Sequence, residues 1–140
     1  MKRLIITLKP YARYLLFFWA VSIAVVSSLP SLPTPKIDTG KIAIRLDYLI
    51  HFCEYGVLSF MAFLSFEGNE FKMSYRKFIL ITLGLISFAI LDEFHQKLIP
   101  GRAFNVKDIL SNILGIITAL IFCLPVFRNI GYKHGKGDKD

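Results

Sequence analysis

The stretch ILDEFHQKLIPGR, residues 90–102, decides the fold, because it places charged residues directly after an apolar segment. The fourteen residues from Phe78 to Leu91 carry no charge. As an α-helix they rise about 21 Å, which falls short of the roughly 30 Å of hydrocarbon in a bilayer. A helix that spans the membrane must therefore continue through Asp92, His95 and Gln96. These polar side chains are then predicted to lie inside the membrane, near one of its surfaces.

The composition is typical of an integral membrane protein. Of the 140 residues, 54% are hydrophobic and 19% are charged, which leaves more apolar surface than a soluble domain of this size can bury. The net charge of +7 comes from basic residues that lie between apolar runs and at both ends. They form no continuous basic face, so we expect no nucleic-acid partner.

Four apolar runs have about the length of a transmembrane helix, for which roughly 20 residues are needed. Short runs joined by short loops fit a helical bundle rather than a barrel, because backbone polar groups in lipid must bond within the chain. We predict an all-α fold, a polytopic bundle of four transmembrane helices in a single domain over residues 1–140. The predicted helices cover roughly residues 11–30, 47–66, 78–98 and 108–127, followed by a cytoplasmic tail at 128–140 whose last ten residues, 131–140, are expected to be disordered and solvated.

The distribution of basic residues predicts the orientation of this bundle. Eleven of the 17 Lys and Arg residues lie in the N-terminal segment, the second loop and the C-terminal tail, and six lie in or beside the first and third loops. The positive-inside rule then places both termini in the cytoplasm. The first run could instead be a cleaved signal peptide that ends near Ser28. Its aromatic-rich core and the lack of an A-x-A pattern favour a retained helix.

Polar residues recur at helical spacing in the second and fourth runs. Asp47, His51 and Glu54 fall at i, i+4 and i+7 and therefore share one helix face. Asp108 and Asn112 repeat the first interval in the fourth run. Each set begins at the predicted outer surface, so three helices are expected to carry polar side chains to one shallow layer. Ionisable groups at such a depth must face the bundle interior, pair with one another or contact water.

The third predicted helix carries two adjacent acids, and its geometry separates them. Asp92 shares a face with His95 and Gln96, whereas Glu93 is turned about 100° away. We therefore expect Asp92, and not Glu93, to point into the cluster. Pro100 and Gly101 then predict a tight turn that ends this helix. That turn holds Arg102 at the mouth of the cluster, where its guanidinium could bind a cluster carboxylate or an anionic head group.

Three segments resemble the VanZ-like family of small bacterial membrane proteins, which is named after a teicoplanin-resistance accessory protein. They are DYLIHFCEYGVLSF at 47–60, LDEFHQKLIPGRAFNVKDILSNILG at 91–115, and the SSLP that ends the first run. Tyr48 departs from the pattern, since family members often have Lys there. The signature positions that the resemblance implies are Asp47, His51, Tyr55, Asp92, Glu93, His95, Gln96, Arg102, Asp108 and Asn112.

The resemblance implies a protein of the bacterial cytoplasmic membrane and cell envelope with a part in lowering glycopeptide susceptibility. It supplies no settled reaction, and the sequence leaves open whether the protein is an enzyme. It also identifies no cofactor. The expected partners are membrane lipid and a lipid-linked cell-wall precursor, and four helices could also form a homo-oligomer.

The enzyme hypothesis is an activity on an envelope lipid or glycan at the outer leaflet. His51 or His95 would act as general base, oriented by Asp47 or Asp92, while Asn112 donates a hydrogen bond to developing charge. No recognised nucleophile or zinc motif is present. The candidate catalytic residues are His51, Asp92, His95, Asp47, Glu54, Glu93, Gln96, Asp108 and Asn112, and the candidate substrate-binding residues are Arg102 and Tyr55.

Three other hypotheses fit the same cluster. His51, Glu54, Asp92 and His95 are ligand types that suit zinc or manganese, although we expect no metal. Chains of acids and histidines inside membranes also occur in transporters and proton relays. A third hypothesis is a non-catalytic role, either in binding an envelope precursor or in joining helices through hydrogen bonds.

Overall fold

The computed structural model describes residues 2–30, 36–38, 43–67 and 74–137, with side chains described for residues 3–30, 46–67 and 74–127. Within these residues the chain forms five α-helices and two short strands. A 3-10 turn at Lys9–Tyr11 joins the first two helices. The helices are α1 (Lys2–Leu8), α2 (Ala12–Ser27), α3 (Leu46–Phe66), α4 (Tyr75–Gln96) and α5 (Val106–Gly137). The strands are β1 (Lys36–Asp38) and β2 (Ala43–Arg45), which pair antiparallel with Ile37 opposite Ile44.

Four helical segments in the described ranges are long and apolar enough to cross a membrane. They are Arg3–Ser27, Leu46–Phe66, Tyr75–Gln96 and Val106–Phe127. The first combines α1, the 3-10 turn and α2. Large apolar side chains such as Phe17, Leu80 and Ile121 remain more than half exposed, as expected of surfaces that face lipid. The predicted bundle of four transmembrane helices is confirmed.

The helix through the opening stretch is also confirmed, because α4 continues through Asp92 and His95 to Gln96 without a break. The third helix was predicted at 78–98 and is Tyr75–Gln96 in the structure, and larger differences lie at the two ends of the chain. The first span begins earlier, with α1, and ends at Ser27, since Pro30 disfavours helical backbone just before it. We expected residues 131–140 to be disordered, but α5 continues to Gly137, and residues 138–140 lie outside the described part of the chain. Pro125 lies inside α5, and no later proline interrupts the helix.

The central contact of the bundle is the packing of α3 on α5. Gly56 and Gly115 allow this close approach. A methyl group added at Gly115 would overlap the carbonyl oxygen of Phe52, whereas one added at Gly56 would reach ordinary contact distance from Gly115. Small residues let helix backbones approach closely in membranes. On the α4 side of α3, the rings of Phe63 and Phe78 stack with centroids 4.5 Å apart.

The connection from α4 to α5 is the predicted tight turn. The Ile99 carbonyl accepts a hydrogen bond from the Arg102 N–H at 3.1 Å, and Gly101 adopts φ 80°. Proline followed by glycine at positive φ is the pattern of a type II turn. Asn105 then caps α5, since its Oδ1 accepts from the Lys107 N–H at 3.1 Å. This turn places polar residues of α4 and α5 side by side.

Candidate functional site

The candidate polar residues lie at one end of the bundle, where α2 and α4 end and α3 and α5 begin. We call this the polar end. His51 of α3 faces Asp108 in the first turn of α5, with 3.9 Å between Nε2 and Oδ2. Their side chains are only 12% and 11% exposed. The sequence predicted that both residues reach this layer, and the structure brings them together as a pair.

Asn112 lies one helical turn beyond Asp108 on α5 and is completely buried. Neither its amide oxygen nor its amide nitrogen has a hydrogen-bond partner in the part of the chain that the structure describes. The Nδ1 atom of His51 is likewise buried and unpartnered there. Leaving such groups unpaired costs about 1–3 kcal/mol each. Buried polar atoms of this kind can accept or donate hydrogen bonds to a ligand.

Glu93 is also completely buried, so the prediction that it turns away from the cluster was wrong. Its Oε1 accepts a hydrogen bond from the backbone N–H of Asn105 at 2.7 Å. It interacts electrostatically with Asp108 and His51. Glu93 does lie on a different face of α4 from Asp92, as helix geometry requires. The segment before α5, however, packs on that second face. Both faces of α4 are therefore buried at this level.

Asp92 joins α4 to α3 through hydrogen bonds. Its Oδ2 accepts from the Tyr55 hydroxyl at 3.2 Å and from Nε2 of Gln96 at 3.2 Å. The same Gln96 nitrogen donates to the Ser27 hydroxyl on α2 at 3.3 Å. Asp92 and Gln96 are buried, and Tyr55 is completely so. The carboxylate of Asp92 and the amide of Gln96 thus connect three transmembrane helices, α2, α3 and α4.

Arg102 binds the end of α2 and Gln96. Its guanidinium donates to the Leu29 carbonyl at 3.0 Å, the Val26 carbonyl at 3.2 Å and Oε1 of Gln96 at 2.8 Å. None of these three acceptors is a cluster carboxylate, and binding of an anionic head group stays a prediction. The last carbonyls of a helix lack intrahelical donors and carry partial negative charge, which explains the attraction. Arg102 thereby holds the first span against the polar end.

Glu54 is half-buried on α3 and interacts electrostatically with His51, Asp92 and Arg102. Its backbone carbonyl accepts a hydrogen bond from Nε1 of Trp19 at 2.9 Å. That bond joins α2 to α3 beneath the polar end. The structure therefore places Glu54 among the predicted site residues.

The two remaining candidates lie at the edge of this group. His95 is exposed, and its Nε2 lies 2.9 Å from the Ser28 hydroxyl at the end of α2. Asp47 lies one turn before His51 on α3, and its Oδ1 is buried. Of the two predicted general bases, only His51 is paired with an acid in the described ion pairs. The geometry therefore favours His51 over His95 as a base.

The structure gives no support to the metal hypothesis. Among the described residues, no group of three or more His, Cys, Asp or Glu side chains is arranged to hold a metal ion. His95, one of the four proposed ligands, lies with its Nε2 2.9 Å from the Ser28 hydroxyl. A four-ligand site requires all donors around one point.

Three residues of the polar end were not among the predicted site residues. Ser27 and Ser28 contact Gln96 and His95 from the end of α2, and Asn105 contacts Glu93. Asn105 could have been found from the sequence, because Asn just before an apolar run is a helix-capping signal. The serines carry a weaker signal, which is their position immediately before the proline-rich segment.

Comparison with known proteins identifies one family. The VanZ/LLP1 family profile matches residues 6–128 of the chain, which include all of α2, α3 and α4 and every polar residue described above. No curated protein matches the chain, and no solved structure matches it.

Proposed function

Because the chain belongs to the VanZ/LLP1 family, we propose that it is a bacterial cell-envelope protein whose polar end binds and acts on an envelope lipid or glycan precursor. The proposal places it in the cytoplasmic membrane, with both termini in the cytoplasm and the polar end at the outer surface. This orientation rests on the distribution of Lys and Arg. A contribution to teicoplanin-type glycopeptide resistance rests on the family resemblance.

One observation carries the proposal, namely the His51–Asp108 pair beside the unpartnered amide of Asn112. The pair joins α3 to α5 at 3.9 Å, and Asn112 follows on the same face of α5. A network that served only to join helices would be expected to satisfy its buried amide. The buried Oε2 of Glu93 also lacks a partner among the described residues. These atoms supply both donors and acceptors for the hydroxyl or phosphate groups of a precursor.

The chemistry that fits this geometry is general-base catalysis. His51 would take a proton from a water or hydroxyl nucleophile, and Asp108 would stabilise the imidazolium that forms. The amide N–H groups of Asn112 would donate to the negative charge that develops on the precursor. Asp92, Gln96 and Arg102 would position α2 and α4 around the site, since their described hydrogen bonds go to other residues of the protein.

The test is a profile of lipids and cell-wall precursors in cells that carry or lack the protein, with teicoplanin susceptibility measured in parallel. Cells lacking the protein should be complemented with wild type, His51→Gln or Asp108→Asn. Lys107→Gln serves as a matched control, because Lys107 is exposed in the first turn of α5. We expect both site variants to reach the membrane at the abundance of the wild-type protein but to fail to restore the wild-type profile of lipids and precursors. The control variant should restore it. Parallel loss of abundance and profile would instead favour a purely structural network.

Two further assays separate the alternative functions. Calorimetric binding of lipid-linked precursors to purified protein, with product analysis, distinguishes turnover from binding alone. Uptake into proteoliposomes tests the transporter hypothesis, which the site geometry favours less. Between the two ends of α3, the buried hydroxyls of Ser59 and Ser65 donate to carbonyls of their own helix, at Tyr55 and Met61. Neither serine therefore extends the polar network along the bundle.

A further inference from the structure

A second site is suggested by a groove between α2, α3 and α4, with a volume of about 600 Å³. Its walls are almost entirely apolar and include Leu16, Leu58, Gly84 and Phe88. Lys77, near the start of α4, is the one charged residue among those that line it. In a membrane, a groove of this kind opens toward the acyl chains of the lipid. Its shape and lining suit one such chain.

A carboxylate lies beside the charged end of this groove. Glu67 follows Phe66, which lines the groove, and is only 6% exposed. In the described part of the chain, neither of its carboxylate oxygens has a hydrogen-bond partner. It interacts electrostatically with Lys77 and Lys9. A buried carboxylate requires hydrogen-bond donors or positive charge close by.

Glu67 lies at the end of α3 opposite to the polar end. It is sixteen residues after His51, which corresponds to about 24 Å along a helix. The groove is therefore separate from the site of the proposed function. An experiment can contradict the proposal for one of them without contradicting the proposal for the other.

We propose that the groove binds a membrane phospholipid with a primary-amine head group, one of whose acyl chains lies against α2, α3 and α4. The lipid phosphate contacts the ammonium group of Lys77. The lipid ammonium donates hydrogen bonds to the carboxylate of Glu67. A primary ammonium has three N–H donors, whereas a choline head group has none. The arrangement therefore selects an ethanolamine-type lipid over a choline-type lipid with the same chains.

The electrostatics of Glu67 are consistent with this occupant. Burial raises the pKa of the Glu67 carboxyl, against the opposing effects of Lys9 and Lys77. A lipid ammonium would add a positive charge and the hydrogen-bond donors that the carboxylate lacks among the described residues. Membrane lipid is also present at high concentration beside the groove, so even modest affinity gives occupancy.

The experiment uses the full chain, purified in detergent and stripped of lipid. Phosphatidylethanolamine, phosphatidylcholine and phosphatidylglycerol with identical acyl chains are titrated while bound lipid is counted by native mass spectrometry. We expect wild type to prefer phosphatidylethanolamine over phosphatidylcholine by about tenfold, the effect of one charge-assisted hydrogen bond. Glu67→Gln should remove this preference. Glu67→Asp, which keeps the charge, should retain part of it.

Variants of the groove test the position of the acyl chain. Gly84→Leu should weaken binding of all three lipids, since an added methyl group at Gly84 meets nothing within 4 Å and a larger side chain can extend into the groove. Ser87→Leu adds the same apolar bulk at an exposed site on α4 outside the groove lining and should have little effect. Lys77→Gln should weaken binding of all three lipids, since each carries the phosphate that contacts the Lys77 ammonium.

Two results would overturn the proposal. One is equal binding of phosphatidylethanolamine and phosphatidylcholine by the wild-type protein. The other is an unchanged preference in Glu67→Gln with its helical content intact, which would make Glu67 only a counter-ion for Lys9 and Lys77.

Discussion

The backbone N–H of Asn105 donates a 2.7 Å hydrogen bond to Oε1 of Glu93, and this bond fixes the start of α5 against the end of α4. Asn105 also caps α5, where its Oδ1 accepts from the Lys107 N–H. Asp108 follows in the same first turn and faces His51. A buried acid on one helix therefore sets the position of a site residue on another.

The first prediction concerns this bond. Glu93→Ala should lower the free energy of unfolding by about 1–3 kcal/mol, because the Asn105 N–H loses its acceptor. Glu93→Gln keeps an oxygen at the same place and should lose clearly less. Denaturant unfolding in detergent micelles measures both variants. Equal losses in the two variants would show that the charge of Glu93 matters and its bond to Asn105 does not.

The second prediction concerns the attachment of α2 by Arg102. Arg102→Lys should weaken this attachment, since a lysine ammonium cannot reproduce the planar set of donors that reaches Leu29, Val26 and Gln96. We expect a loss of about 1–3 kcal/mol in the free energy of unfolding. A double-mutant cycle with Gln96→Ala should give a coupling energy of at least about 0.5 kcal/mol. Additive losses would contradict the direct contact.

The thickness of the bilayer allowed much of the polar end to be predicted from the sequence. The third apolar run is too short to span the bilayer without the residues DEFHQKL, so the helix was predicted to include them; α4 includes DEFHQ and ends at Gln96, two residues before the predicted end. The spacing of Asp47, His51 and Glu54 likewise placed these residues on one face of a helix. Such predictions depend on single helices. They require only the rise and the repeat of an α-helix.

Contacts between helices could not be predicted from the sequence. Whether Glu93 is buried depends on what packs against the second face of α4, and helix periodicity does not contain that information. The partner of Arg102 depends on where the end of α2 lies, which is a feature of tertiary structure. The pairing of His51 with Asp108 required the relative position of α3 and α5. Sequence periodicity shows which residues share a helix face, but it does not show what packs against that face.

The third prediction concerns the close packing of α3 and α5. Gly115→Ala should destabilise the bundle by about 1–3 kcal/mol, because the added methyl group overlaps the Phe52 carbonyl oxygen and forces the backbones apart. Gly84→Ala is the matched control, since the same methyl group meets no atom within 4 Å. The control should be neutral or stabilising by up to about 1 kcal/mol through helix propensity. Equal behaviour of the two variants in unfolding experiments would contradict the packing argument.

The last prediction concerns pH and Glu67. Burial raises the pKa of this carboxyl above its ordinary value of 4.5, so the folded protein binds the proton more tightly than the unfolded chain. Its stabilising contribution is therefore fully present below that ordinary value and is lost as pH rises through the raised pKa. Glu67→Gln cannot titrate, and its free energy of unfolding should vary less between about pH 4 and pH 8. Unfolding in lipid-free detergent measures both proteins, and an identical pH dependence would show that Glu67 contributes nothing to it.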